Sequence, residues 1–326
     1  MNRRSFISSG AGALMMAACT KTESTAAVLP TDGRIRSGGA RMIEIEGGYH
    51  VWTKKVGDAP IKLLLLHGGP GVDHSYFECF EDFLPQNGIE FYYYDQLDST
   101  YSDKPNDPKL WTLERFRDEV ESVRKGLGLE GFYLLGHSWG GILGIEYALA
   151  YPEHLKGLII SNMPAGVRSA EVYARSLRAE LPPDTQAILD KYEREGKFDA
   201  PEYQRVMMDV FYTRHLCRLP RPWPEPMERI FRHFNRDIYN YMQGPNVMSV
   251  TGTLKNWDRW ADLPRIRTRT LTIGAKYDEM PPEEMRKMAT LMPNARSWIS
   301  DKGAHMTMWD DQLAYVRTVI DFLKSA

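Results

Sequence analysis

The sequence predicts an α/β architecture, a mainly parallel sheet flanked by helices and interrupted by an inserted helical segment, and three observations predict it. Short apolar runs such as "IKLLLL" (61–66) and "LKGLIIS" (155–161) lack polar alternation, as strands covered on both faces do. Amphipathic helical stretches separate such runs, which implies parallel strands joined by right-handed crossovers. The alternation stops near Pro164 and resumes near residue 261, which marks the insertion.

From Met42, "MIEIEGGYHVWTKK" alternates apolar and polar residues around Gly47-Gly48 and reads as an antiparallel hairpin. The buried strands "IKLLLL" and "IEFYYYD" (89–95) follow, and then a helix over 112–128 with Thr112 as its N-cap and Gly126 or Gly128 at its end. "FYLLG" is the next strand, with a helix after Ser138, and "LKGLIIS" is the strand beyond it. Residues 164–260 carry charged helical stretches, aromatic residues and proline clusters, and are read as a cap over the C-terminal strand ends, where open α/β sheets bind ligands. Strand "TRTLTIGA" (268–275), helix "PPEEMRKMATLM", strand "ARSWIS" (295–300) and a last helix complete a core made of residues 42–163 and 261–326.

The chain has 326 residues and a formal net charge of -2, with no basic stripe, so nucleic acid is not an expected partner. No phosphate loop, dinucleotide fingerprint or metal-ligand cluster is present, and no cofactor or metal is expected. The first residues differ from the rest. Arg3-Arg4 followed by Ser-Phe-Ile resembles a twin-arginine export signal over residues 1–19. Met16-Ala17-Ala18-Cys19 resembles a lipobox, which implies a lipidated Cys19, membrane attachment and a periplasmic or cell-envelope location. The alternative is a plain N-terminus with incidental arginines. Residues 20–41 read as a polar tether. Cys79 and Cys217 are expected to be buried small hydrophobes rather than a disulfide framework.

The chemistry centres on Gly136-His137-Ser138-Trp139-Gly140, a G-x-S-x-G turn with a strand before it and a helix after it. Glycines let the chain close sharply, so that the Ser138 hydroxyl is lifted above the sheet as a nucleophile and the Trp139 N–H faces a developing oxyanion. Such a nucleophile needs a second oxyanion donor, a general base and a carboxylate to orient the base. Gly69, in the glycine loop "HGGPG" after strand 61–66, is the expected donor. His305 lies after the strand 295–300 and is the expected base. Asp278, just past strand 268–275, is the expected orienting acid; Asp301 is a rival by nearness in sequence alone.

"LLLHGGPG", "FYYYDQ", "LLGHSWGG", "WPEP", "GPNVMSVTGTLKNWD", "KYDEMPP" and "HMTMW" together resemble the proline iminopeptidases, α/β-hydrolases with a cap, over nearly all of residues 42–323. The resemblance implies release of an N-terminal residue from small peptides, amides or arylamides, and recognition of the free amine by carboxylates. Glu279 matches one such carboxylate; its alternative reading is a solvated loop residue. The second falls at Val247, which cannot pair with an ammonium group. A further departure follows "YYDQ", where Leu97-Asp98-Ser99-Thr100-Tyr101 replaces glycines and an arginine. Both departures leave open an amidase, an esterase or a lactonase that does not require a free amine. A lipoprotein that binds without turnover is the reading from another class. Cap aromatics such as Tyr173, Phe211, Tyr212, Trp223, Phe231, Tyr239 and Tyr241 either line a pocket or pack the cap onto the core.

Overall fold

A computed structural model describes residues 36–325. The expected export signal, Cys19 and residues 20–35 of the tether lie outside the described residues, and the tether ends sooner than expected because the first strand already begins at Ala40. One eight-stranded sheet, in the order β1-β2-β4-β3-β5-β6-β7-β8, organises the rest. Its strands are β1 (Ala40–Glu44), β2 (His50–Val56), β3 (Ile61–Leu66), β4 (Ile89–Tyr94), β5 (Phe132–His137), β6 (Leu155–Ser161), β7 (Thr270–Ala275) and β8 (Ala295–Ser300). β1 pairs antiparallel with β2, and β2 with β4, as the hairpin around Gly47-Gly48 requires; all other pairs are parallel.

Strand pleating divides the apolar runs between two cores. Leu64 and Leu66 of β3, Leu134 of β5 and Ile160 of β6 pack on one face with Phe116, Val120, Ile142 and Tyr147. Their neighbours Leu63, Leu65, Leu135 and Ile159 pack on the other with Phe77, Phe80, Tyr315 and Phe322. Helices α1 (Leu113–Leu127) and α2 (Trp139–Ala150) supply much of the first core. The Thr112 hydroxyl accepts the Arg115 N–H, and Gly128, at φ 68°, closes α1 by donating to the Arg124 and Lys125 carbonyls. Gly128 rather than Gly126 therefore ends that helix.

Between β6 and β7 the chain forms α3 (Val167–Ala179), α4 (Pro183–Arg194), α5 (Pro201–Val206) running into a π-helical stretch (Met207–Tyr212), α6 (Thr213–His215), α7 (Glu225–His233) and α8 (Arg236–Met242). Several ties fasten this segment, among them the following. Arg229 of α7 makes a bidentate pair with Glu78 at 2.8 and 2.9 Å. Asn235 donates its N–H to the Gly71 carbonyl at 2.9 Å and its amide to the Asp98 carbonyl at 3.0 Å. The carbonyls of His215 and Leu216 accept the N–H groups of His305 and Met306 at 3.0 and 2.7 Å. Helices α9 (Pro282–Leu291), α10 (Thr307–Asp310) and α11 (Gln312–Lys324) complete the chain. The 3₁₀ segment His74–Asp82, between β3 and β4, buries Tyr76, Phe77 and Phe80. The Cys79 and Cys217 thiols are buried and free.

The fold puts the ends of β3 and β5 side by side where the strand order reverses direction, the usual crevice of an open α/β sheet. A Cβ at residue 140 would lie 2.1 Å from the Leu66 carbonyl oxygen, and one at 136 would lie 1.9 Å from the Gly140 carbonyl oxygen. Gly140→Ala is therefore expected to push β3 and α2 apart and to cost more than about 2 kcal/mol. Urea unfolding followed by tryptophan fluorescence reads that loss; an unchanged midpoint would show that the turn has slack.

Candidate active site

Six strand ends contribute to one site. Ser138 follows β5 and adopts φ 55° and ψ −125°, a backbone conformation held by its surroundings rather than by residue preference. Its N–H donates to the Ser161 carbonyl at 2.9 Å, and its own carbonyl accepts the Gly141 N–H at 2.7 Å. The glycine loop after β3 passes directly above, since a Cβ at Gly68 would lie 3.1 Å from the Ser138 Cβ. The Gly68 N–H is committed to the Tyr76 hydroxyl at 2.7 Å. Gly69, at φ 107°, has no hydrogen bond on its N–H among the described residues.

His305, after β8, holds its Nδ1 against the Asp278 Oδ1 at 2.8 Å, and both side chains are buried. Asp278, after β7, accepts the Met280 N–H on the same oxygen at 2.9 Å and the Asn162 amide on Oδ2 at 2.6 Å. A carboxylate facing Nδ1 leaves Nε2 as the basic nitrogen. Burial pulls the imidazole pKa down, but the charge and hydrogen bond of Asp278, with the charge of Glu279, overcome it and leave His305 raised. Asp301 is exposed on the turn after β8, so the choice between the two aspartates falls to Asp278.

Ser138, Trp139, Gly69, His305, Glu279 and Val247 all line a single cavity of about 130 Å³. Asp278 sits behind the imidazole. Methionines 163, 207, 208, 280 and 306 make much of the wall apolar. Glu279 is 3% exposed, its Oε1 is 4.0 Å from His305 Nε2, and its Oε2 has no partner. Burial pushes its pKa up to about 7, with Asp278 adding repulsion against the pull of His305. It is thus a buried cavity residue, not a solvated loop glutamate. Glu171 also reaches the wall, but its carboxylate is taken by Arg168, Arg175 and the Val250 N–H.

The two departures noted in the sequence separate here. Val247 faces the cavity. Leu97–Tyr101 does not line it: Asp98 accepts the Trp111 indole at 2.6 Å, and Thr100 donates to Asp73 at 2.6 Å, so these residues build the turn after β4. The aromatics of the inserted segment divide as well. Tyr212, Phe231 and Tyr239 line the cavity; Phe211 and Trp223 pack inside; Tyr241 is exposed and Tyr173 packs, half-buried, at the core's edge.

Sequence reasoning missed four supporting residues. Asn162 follows β6 at φ 57° and holds Asp278; its position at a strand end was the available signal. Gln96 accepts the Trp139 indole N–H at 2.8 Å while its own N–H groups reach His67, which fixes the first residue of α2 to the end of β4. Tyr76 and His137 lie beneath the glycine loop, and neither residue type announces such a place.

A serine raised on a strained strand-to-helix turn above a mainly parallel sheet, with an imidazole and acid arriving later in the chain, places the protein among the α/β-hydrolases. Residues 62–312 match the family described as the alpha/beta hydrolase fold. The proline iminopeptidase of Elizabethkingia meningoseptica is 45% identical over 283 residues, spanning 85% of this chain and 95% of that one. Among solved structures, VinJ superposes with a TM-score of 0.83 at 32% identity over 87% of this chain and 98% of its own. The proline iminopeptidase of Mycobacterium smegmatis superposes with a TM-score of 0.79 at 32% identity, over 87% of this chain and 97% of that one. The chain belongs to the proline iminopeptidase family.

The raised Glu279 carboxyl has a stability consequence. A group with a folded pKa of about 7 against an ordinary 4.5 binds more protons folded than unfolded between those values. The fold therefore loses stability as pH rises from 4.5 to about 7, by an amount on the order of 3 kcal/mol. Glu279→Gln removes the charge, so its melting temperature should exceed the parent's at pH 8 by several degrees and match it at pH 5. Equal melting curves at both values would contradict a buried carboxylate whose Oε2 has no partner.

Proposed function

We propose that the protein is an aminopeptidase that releases one small N-terminal residue, proline or another apolar residue, from short peptides, amides or arylamides through an acyl-enzyme on Ser138. The single observation that carries this reading is Glu279: a buried carboxylate with an unpartnered oxygen, within the same cavity as Ser138 and His305. A substrate ammonium would supply the missing partner. Cavity size agrees, since about 130 Å³ approaches the 150 Å³ apolar cavity that takes benzene and so suits one ring-sized side chain.

In this mechanism the His305 Nε2 takes the Ser138 proton as Oγ attacks the scissile carbonyl, and Asp278 stabilises the resulting imidazolium. The N–H groups of Gly69 and Trp139 bind the tetrahedral oxyanion. Gly68 cannot serve there, because Tyr76 already accepts its N–H. The imidazolium next protonates the leaving amine, and water repeats the cycle on the acyl-enzyme. No cofactor takes part in these steps. With Val247 where a second carboxylate would stand, amine recognition rests on Glu279 alone, which favours small apolar residues bearing one charge. An esterase or amidase activity on substrates without an amine is the second reading, and the apolar wall with Val247 favours it. Export, with Cys19 lipidated at the cell envelope, is part of the proposal on the strength of the first nineteen residues.

A panel of proline and alanine arylamides, their N-acylated forms and simple acyl esters, with Ser138→Ala as blank, tests the reading. Free-amine arylamides should be turned over at least about tenfold better in kcat/KM than N-acylated ones. Equal rates would reject amine recognition, and higher ester rates would support the second reading. Glu279→Gln should raise KM for free-amine substrates by roughly 10–100-fold, the cost of a charged hydrogen bond, and leave esters unaffected. Because only ionised Glu279 pairs with the amine, KM of the parent should rise as pH falls through about 7. On an uncharged ester the acid limb should reflect His305 instead and lie above the ordinary histidine value of 6.5. In Asp278→Asn that limb should move down while the rate falls by several orders of magnitude.

A further inference from the structure

We propose that Tyr76 and His137 are positioning residues that set the oxyanion loop and the base in register through one unbroken chain of hydrogen bonds. The inference rests on the roles proposed above for Gly69, Ser138 and His305. The Gly68 N–H donates to the Tyr76 hydroxyl at 2.7 Å. The Tyr76 hydroxyl is 3.1 Å from His137 Nδ1, and His137 Nε2 is 2.9 Å from the His305 carbonyl oxygen. Both side chains are fully buried, and the Tyr76 carbonyl is itself fixed by the Trp309 indole at 2.8 Å.

The direction of every bond is forced. A carbonyl can only accept, so His137 carries its proton on Nε2 and donates it to His305. Its Nδ1 is then an acceptor, and Tyr76 must donate to it. The Tyr76 oxygen is left to receive the Gly68 N–H, as a backbone amide requires. Each member has one role, and removing one leaves a buried polar group unmatched on either side. Burial and the neighbouring His305 keep His137 well below the usual histidine pKa, so it stays neutral.

Two consequences follow for the chemistry. Tyr76 takes the Gly68 amide out of use and so determines which glycine N–H faces the oxyanion. The His137 ring lies tilted at 53° to that of His305, with their centres 4.8 Å apart, and a neutral ring there adds no repulsion when His305 becomes an imidazolium. A purely structural pair would alter stability; this chain should alter the rate of attack by Ser138.

The test compares the parent protein with Tyr76→Phe, His137→Leu, His137→Gln and the double variant Tyr76→Phe/His137→Leu. The readouts are the rate of fluorophosphonate labelling at Ser138, kcat and KM on a proline arylamide, and the melting temperature. Tyr76→Phe and His137→Leu should each slow labelling and kcat by about tenfold, with KM within about twofold. The double variant should be no more than about twofold slower than the slower single variant, because one chain is broken either way. His137→Gln, whose side-chain amide can still donate to the His305 carbonyl, should regain most of the labelling rate. Unchanged labelling in the single variants, multiplying losses in the double variant or an effect confined to KM would overturn the inference. A parent protein that fails to label overturns the nucleophile assignment and this inference with it; a labelling parent with indifferent variants overturns this inference alone. Where His137→Leu does not fold, Tyr76→Phe and His137→Gln carry the same comparison.

Discussion

Ser138 can hold φ 55° and ψ −125° only because α2 comes into backbone contact with the ends of β3 and β5. That contact has no room for a Cβ at 136 or 140, and the rest of the site depends on it. It sets the height of the serine above the sheet, aims the first turn of α2 at the cavity and brings the glycine loop within van der Waals reach of the serine Cβ. The strain is balanced by apolar residues on both faces of the sheet, where Leu134 and Leu135 point into different cores. Rigid packing of this kind is what lets a polar turn keep one geometry while charge develops and disappears beside it.

Charge in the cavity is arranged in layers. Asp278 is fully engaged by His305, Asn162 and the Met280 N–H, so its negative charge is spread over fixed partners. Glu279, next in sequence, has only His305 at 4.0 Å on one oxygen and no partner on the other, and burial raises it to about 7. Two adjacent carboxyls therefore do different work because their surroundings differ. One is held by the scaffold, and the other keeps an oxygen without a partner. Glu171, another carboxylate that reaches the same space, is paired with two arginines.

Much of this was legible in the sequence, for identifiable reasons. "IKLLLL", "FYLLG" and "LKGLIIS" announced buried parallel strands because nothing else makes such short runs uniformly apolar. Ser138, Asp278 and His305 could be named because each follows a strand, and strand ends are where this architecture exposes side chains. The hydrogen-bonded supports were less visible. Tyr76 reads as one more buried aromatic of a short 3₁₀ segment, and Gln96 and Asn162 are common types whose meaning comes from partners far along the chain. Leu97–Tyr101 misled in the opposite direction: its difference from relatives looked like a change of substrate, yet its side chains are spent on the turn after β4. Sequence comparison registers that a residue differs; burial and bonding decide what the difference touches.

The bonds from His215 and Leu216 to the backbone of His305 and Met306 bear on how such an enzyme changes over evolutionary time. A lid joined to the scaffold only by loops can be exchanged wholesale between relatives. Here the inserted segment shares main-chain hydrogen bonds with the very residue whose imidazole lines the same cavity as Ser138. Replacing the insertion as a block would disturb the turnover machinery together with the selectivity. Divergence would thereby be channelled into side chains on the inner wall, position by position, and Val247 is one residue of that wall.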